Sequence, residues 1–268
     1  MTEVTAGNRR LSAKAKARLG FFARYATIIG LVAMIGLFSV LSPKAFPTVS
    51  NFTNVLNQAS LAMIIAAGLT MAVIVGELDL SIGFAASLHG ILVTGLIVSN
   101  ELPIPVAIII VLAAGALVGL INGLVVTKVK VNSVIATLGI GTILTGLAFA
   151  YSSGVPSVRG VPEAFLDISL GRWLFGIPNN IIIMSVVVLF LGVLVERTPM
   201  GQEIQAVGGN PAAARLAGIS GDRIKILGFV ISGVWAALTG ILLASRLGSG
   251  TASAADSYLL TEFAAVFL

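Results

Sequence analysis

The sequence predicts an all-α, polytopic membrane protein: a bundle of transmembrane helices whose N-terminus lies in the cytoplasm. Three observations carry this reading. Of the 268 residues, 57% are hydrophobic and only 10% are charged, whereas a soluble domain carries about 25% charged residues. Such a chain cannot cover itself with polar surface, and lipid is the alternative solvent. Apolar runs of spanning length recur between turn-forming residues, and lysine and arginine are dense in alternate loops.

Residues 1–25 read as a basic tail holding Arg9, Arg10, Lys14, Lys16, Arg18 and Arg24. The run 26–41 follows. No small-x-small cleavage site leads from it into a soluble domain, so it reads as an uncleaved first span. Six further runs, 59–75, 82–98, 106–126, 134–151, 181–195 and 226–244, are each about long enough to cross the roughly 30 Å hydrocarbon core. Ser42-Pro43, Pro103-Ile104-Pro105, Val155-Pro156, Ile177-Pro178 and Thr198-Pro199 mark the loops between them. Residues 259–268 begin another apolar stretch, too short to cross. The expectation is seven complete spans plus the start of another, with residues 26–268 forming one transmembrane domain.

Charge tests the count. With the tail inside and sides alternating, Lys128, Lys130, Arg197, Arg215, Arg223 and Lys225 join the six tail residues in the cytoplasm. Only Lys44, Arg159, Arg172 and Arg246 fall outside, so every loop obeys the positive-inside rule. The net charge of +5 thereby has a topological explanation, and no nucleic-acid partner is expected. Tyr25, Tyr151 and Trp173 fit interfacial aromatic belts.

Several chemistries are excluded. There is no cysteine and one histidine, His89, so disulfides, thiolate nucleophiles and a histidine-rich metal site are impossible within the chain. His89 reads as a helix-contact residue. No phosphate-binding Gly-x-x-x-x-Gly-Lys-Ser/Thr, Gly-x-Ser-x-Gly or His-Glu-x-x-His motif is present. Gradient-driven transport would call for paired ionisable groups at mid-membrane depth. Apart from His89, the predicted spans contain none.

Three constellations remain. Within the cytoplasmic segment 196–225, residues 208–219 read Gly-Gly-Asn-Pro-Ala-Ala-Ala-Arg-Leu-Ala-Gly-Ile. Asn210 is an N-cap, Pro211 suits the first helical position, the alanines and leucine propagate a helix, and Gly218 supplies a left-handed stop. The result is a helix of about two turns, roughly 10 Å long. Isolated helices that short are marginal in water, so this one packs on its own membrane domain or into a groove of a partner.

The second constellation, Gly76-Glu77-Leu78-Asp79-Leu80-Ser81-Ile82-Gly83, separates the second and third spans. Asp79 or Ser81 caps the third span; alternatively Asp79 also lines a break in a route or gate, since acids at membrane depth are costly without a role. In the third, Gly115, Gly119 and Gly123 form a stripe on which another helix can pack closely. Asn122 beside it either bonds between helices or touches a polar substrate. Asn132 or Ser133 caps the fifth span, where Thr137, Thr142 and Thr145 offer hydroxyls that either line a path or bond their own backbone.

Residues 208–219 resemble the cytoplasmic coupling motif of ribose/xylose/galactose-type ABC importer permeases. Gly209, Asn210, Ala213, Ala214, Arg215, Gly218 and Ile219 match it, while Ala212 stands where a polar or acidic residue is common. Residues 76–83 are similar to the Gly-Gly-Ile-Asp-Leu-Ser-Val-Gly element of the sugar-type members, with Glu77 in place of the second glycine. The resemblance runs from about Asn51 to Leu268. It implies a type II ABC-importer-like permease in the cell's inner membrane. It implies that Gly208, Gly209, Asn210, Pro211, Ala213, Ala214, Arg215, Gly218 and Ile219 couple to an ATP-binding subunit. It also implies that Glu77, Asp79, Ser81, Asn122, Asn132 and Thr142 belong to a translocation path or gate. The implied partners are that ATPase, which carries ATP and Mg while this chain binds no cofactor, an external sugar-binding protein and a second permease. Related permeases handle nucleosides or branched-chain amino acids.

Overall fold

The computed structural model describes residues 13–156 and 160–267, with side chains from Tyr25 onward. The side chains of the six basic tail residues, Arg159 and Leu268 lie outside the described residues. Every regular element described is helical. They are α1 (Ala13–Leu41), α2 (Val49–Ile74), α3 (Ile82–Val98), α4 (Ile104–Leu124), α5 (Ser133–Ser152), α6 (Glu163–Leu170), α7 (Asn179–Arg197), α8 (Pro199–Gly209), α9 (Pro211–Leu216), α10 (Gly221–Leu247) and α11 (Tyr258–Phe267). A π-helical turn, Val125–Val129, prolongs α4. Among the described residues, five helices are long and apolar enough to cross a membrane: α2, α4 with its π turn, α5, α7 and α10. Tyr25–Leu41, α3 and α11 are shorter apolar helices.

The chain divides into two units, one ending at Phe52 and the other covering Thr53–Phe267. In the first, the turn after α1 is fixed by the stacked rings of Phe38 and Phe46, 5.4 Å apart, and by Asn51 Nδ2 donating to the Phe46 carbonyl. Helix α2 therefore begins at Val49, ten residues before its apolar run. Polar residues are helix-competent wherever their side chains have somewhere to go, so hydropathy understates helix length.

In the second unit α10 is the axis, and glycine places it there. A Cβ on Gly115 would lie 2.6 Å from Ala237 Cβ. One on Gly119 would strike the Phe229 carbonyl, and one on Gly123 would come within 2.8 Å of Ile226 Cα. These contacts run in opposite directions along the two helices, so α4 and α10 are antiparallel and share one small-residue seam. On the other side, a Cβ on Gly90 would meet the Gly240 carbonyl at 3.0 Å. The predicted stripe 115/119/123 thus faces α10 at Gly233, while Gly240 of the same helix lets α3 approach at Ala86 and Gly90. His89 is wholly buried and bonds through Nδ1 to the Ala85 carbonyl of its own helix. Trp235 fills the space left by Gly68 and meets Phe190 edge-on at 6.2 Å.

Two helices lie where the sequence predicts loops. Thr198-Pro199 reads as an interruption; instead Thr198 Oγ1 accepts from Gly201 N and Pro199 opens α8, the position where proline is tolerated best. Helix α6 starts differently: Pro162 is its N-cap and offers no side-chain cap, and Glu163 lies in its first turn.

Candidate functional site

The break between α2 and α3 is built residue by residue. Gly76 takes φ +83°, its N–H bonding to the Val73 carbonyl and that of Glu77 to the Ala72 carbonyl. This pair of bonds is the Schellman closure that glycine permits. The next residues are not helical, so their backbone groups need other partners. Helix α5 supplies them: Leu78 N donates to Ser133 Oγ at 3.3 Å and Leu80 N to Thr137 Oγ1 at 2.9 Å. Ser133, one of the two expected caps, is occupied by the break; Asn132 caps α5 by accepting from Val134 N.

Asp79 sits at the centre, buried. Its Oδ1 accepts from Ser81 N at 3.0 Å, from Ser81 Oγ at 2.6 Å and from Asn122 Nδ2 at 3.4 Å. Its Oδ2 accepts from Ser232 Oγ at 2.7 Å. Asn122 Nδ2 also donates to Ser81 Oγ at 2.8 Å. Three predicted residues, Asp79, Ser81 and Asn122, thus converge and join the break to α4. Ser232 joins it to α10. A carboxylate held by this many donors tolerates burial far better than a bare one.

Glu77 lies nearer the surface and pairs with Lys225 at 2.5 Å. Lys225 and Ser232 are seven residues, about two turns, apart and share one face of α10. The break is consequently held to α10 at two points, an ion pair outside and a buried hydroxyl–carboxylate bond within. The neighbouring Asp222 pairs with Lys128 of the π turn at 2.8 Å, in an exposed position. Thr142 is apart from this cluster, exposed on α5 and bonded to the Leu138 carbonyl of its own helix. Thr137 and Thr145 likewise bond back to the preceding turn. An open cavity of about 390 Å³ between α2, α7 and α11 is lined mostly by apolar side chains such as Met63, Ala66 and Leu191, and by none of the six predicted path residues.

The segment expected to couple to an ATPase folds as α8–α9. Asn210 ends α8 and caps α9, its Oδ1 accepting from Ala213 N at 3.0 Å. Gly218 adopts φ +83°, and Ile219 N closes onto the Ala214 carbonyl. Ala214 is buried and Ile219 packs on the core, whereas Leu216 is 92% exposed. Gly208 abuts the last carbonyl of α2, so that no side chain fits there. Asn210→Ala removes the cap and should cost about 1 kcal/mol; a drop in detergent-phase melting temperature with retained expression checks it. Among the described residues, no group of three or more His, Cys, Asp or Glu could hold a metal ion.

Residues 51–268 match the family described as branched-chain amino acid transport system / permease component. The chain is 39% identical over 248 residues to the ribose import permease protein of Haemophilus influenzae, covering 92% of this chain and 76% of that protein. It is 36% identical over 271 residues to the ribose import permease protein of Escherichia coli K12, covering 100% and 82%. It is 32% identical over 229 residues to the D-allose transport system permease protein of the same strain, covering 85% and 70%. No solved structure matches. With a family match over most of its length and relatives this similar, the chain is a multi-pass membrane protein, not itself an enzyme, and belongs to the family of ABC importer permease components.

Proposed function

We propose that this chain carries a monosaccharide across the inner membrane by alternating access, driven by a separate ATP-binding subunit that holds ATP and Mg. The observation that carries the mechanism is the continuity from α9 to the α2–α3 break. Only residues 217–220 separate α9 from α10, and the first half of α10 holds the break through Lys225–Glu77 and Ser232–Asp79. Helix α9 offers the ATPase an exposed Leu216 on a capped, rigid base. When the partner moves α9, α10 moves with it and pulls the break, so Glu77, Asp79, Ser81 and Asn122 act as the gate's hinge. Monosaccharide is favoured as substrate because the relatives named above carry ribose and allose in their names. The same reading takes seven complete spans plus the start of another, a cytoplasmic N-terminus and segment 196–225, a second permease copy and an external sugar-binding protein.

Reconstitution with the ATPase and the external protein tests this, with ion gradients collapsed by ionophores. Labelled sugar should enter only with ATP present. Uptake that persists without ATP and follows an ion gradient, or uptake of a branched-chain amino acid alone, overturns it. The hinge has its own test. Glu77→Lys and Lys225→Glu each set like charges in a partly buried contact, and each should lower uptake by about tenfold. The double exchange restores opposite charges and should recover most of it, a coupling that additive effects could not produce. Membrane abundance is checked by immunoblot in each case.

A further inference from the structure

We infer that residues 172–177, between α6 and α7, form a built interfacial anchor that seats in the lipid headgroup region at the N-terminal end of α7. The segment is a two-residue hairpin: Leu174 and Ile177 bridge, and Ile177 N donates to the Leu174 carbonyl at 2.9 Å. Its central residues, Phe175 and Gly176, both take positive φ, +50° and +73°, the geometry of a type I′ turn. Asn-Gly is the sequence that turn prefers. Phenylalanine there bears a steric penalty, and an exposed strained residue points to function rather than packing.

The root of the hairpin is rigid. Asn179, buried, accepts from Trp173 N at 2.9 Å through Oδ1, donates to the Asp167 carbonyl at 2.9 Å through Nδ2, and donates its own N–H to the Gly171 carbonyl at 3.0 Å. Asn180 beside it links to Ser169 of α6 and Asn57 of α2. Burial changes abruptly at this root: residues 178–180 are buried and 172–177 all exposed, Phe175 to 97%. A firm base therefore holds four large apolar side chains, Trp173, Leu174, Phe175 and Ile177, away from the protein. Arg172 closes the turn through Nη1 to the Gly176 carbonyl.

The bilayer is the occupant because the hairpin leads directly into a lipid-facing helix. Helix α7 is apolar enough to cross a membrane, and Val186, Leu189, Phe190 and Val193 on it are exposed. The hairpin sits at the end of that surface, at the depth where Trp is enriched and where arginine reaches phosphates. Pinning this end fixes the height of α7, which descends directly into α8 and α9.

Trp173 and Trp235 are the chain's two tryptophans, so fluorescence reads the anchor without any transport assay. In liposomes, the difference between wild type and Trp173→Phe isolates the Trp173 signal while leaving half-buried Trp235 in place. That signal should be blue-shifted, shielded from aqueous acrylamide, and quenched several-fold more by lipid brominated near the headgroup than by lipid brominated at the chain end. Phe175→Asn, which tolerates positive φ but lacks the ring, should reduce the bromolipid quenching. Full acrylamide access with no bromolipid quenching overturns the anchor. So does shielding of Trp173 that arises only when an external binding protein is added, which would assign the hairpin to a protein partner.

Discussion

Gly233→Val should leave little folded protein, with destabilisation of about 3 kcal/mol or more from overpacking. A Cβ at 233 would drive into the Gly115 carbonyl and lie 3.0 Å from Gly119 N and 3.1 Å from Gly119 Cα. All three are backbone atoms of α4, which cannot rotate aside as a side chain does. Separating α4 from α10 also pulls Ser232 and Asn122 away from opposite sides of Asp79, leaving a buried carboxylate short of donors. Packing and polar loss therefore add at one seam. Gly146→Ala on α5 is the control, because nothing lies within 4 Å of the added carbon, and it should be neutral or slightly stabilising through helix propensity. Unfolding in mixed micelles followed by circular dichroism compares the two. Equal stabilities would mean that α4 and α10 do not approach as described.

Leu216→Asp, alone or with Arg215→Glu, should abolish uptake while the chain remains folded and inserted. Leu216 contributes nothing to the chain's own core, being 92% exposed, and Arg215 is also exposed. Their replacement should therefore leave stability within about 0.5 kcal/mol of wild type. Arginine is enriched among the residues that carry interface energy, and Arg215 beside exposed Leu216 is such a group. Loss of one costs about 2 kcal/mol or more, roughly thirtyfold in affinity, and an aspartate at 216 adds an unpaired charge to the contact. ATP hydrolysis by the partner should become insensitive to the external binding protein, so the ATP consumed per sugar imported rises steeply. Gly218→Leu should give a similar outcome by a different route: φ +83° is strained for any side chain, so the link from α9 to α10 is distorted.

How much of this is legible in the sequence differs from residue to residue, for physical reasons. Helix α9 can be read in full, because capping is local: Asn210, Pro211 and Gly218 each declare a role within a few residues. The stripe 115/119/123 can be read because glycine at helical spacing inside an apolar run has few other uses. Asp79, Ser81 and Asn122 can be nominated singly, since polar groups among apolar ones demand partners. Their meeting cannot, because it joins residues 41 to 43 positions apart. Ser232 and Lys225 escape notice for the same reason. Serine in a long apolar run gives no sign of what it will bond, and Lys225 is already accounted for as a topological charge. Helix α8 is overlooked when Pro199 is read only as a stop, although it stands where the helix begins, and α6, only eight residues long, makes no apolar run of spanning length. Thr142 shows the converse: its own backbone satisfies it, an alternative the sequence leaves open.

If α9 is the cytoplasmic surface through which a separate ATPase moves this bundle, a single cysteine on it can report the contact. The chain has no native cysteine, so Leu216→Cys supplies that reporter without interference. A membrane-impermeant maleimide should label it from the cytoplasmic face of oriented vesicles only, and bound ATPase subunit should protect it. Labelling from the outer face, or labelling unchanged by the ATPase, would contradict the coupling role of α9.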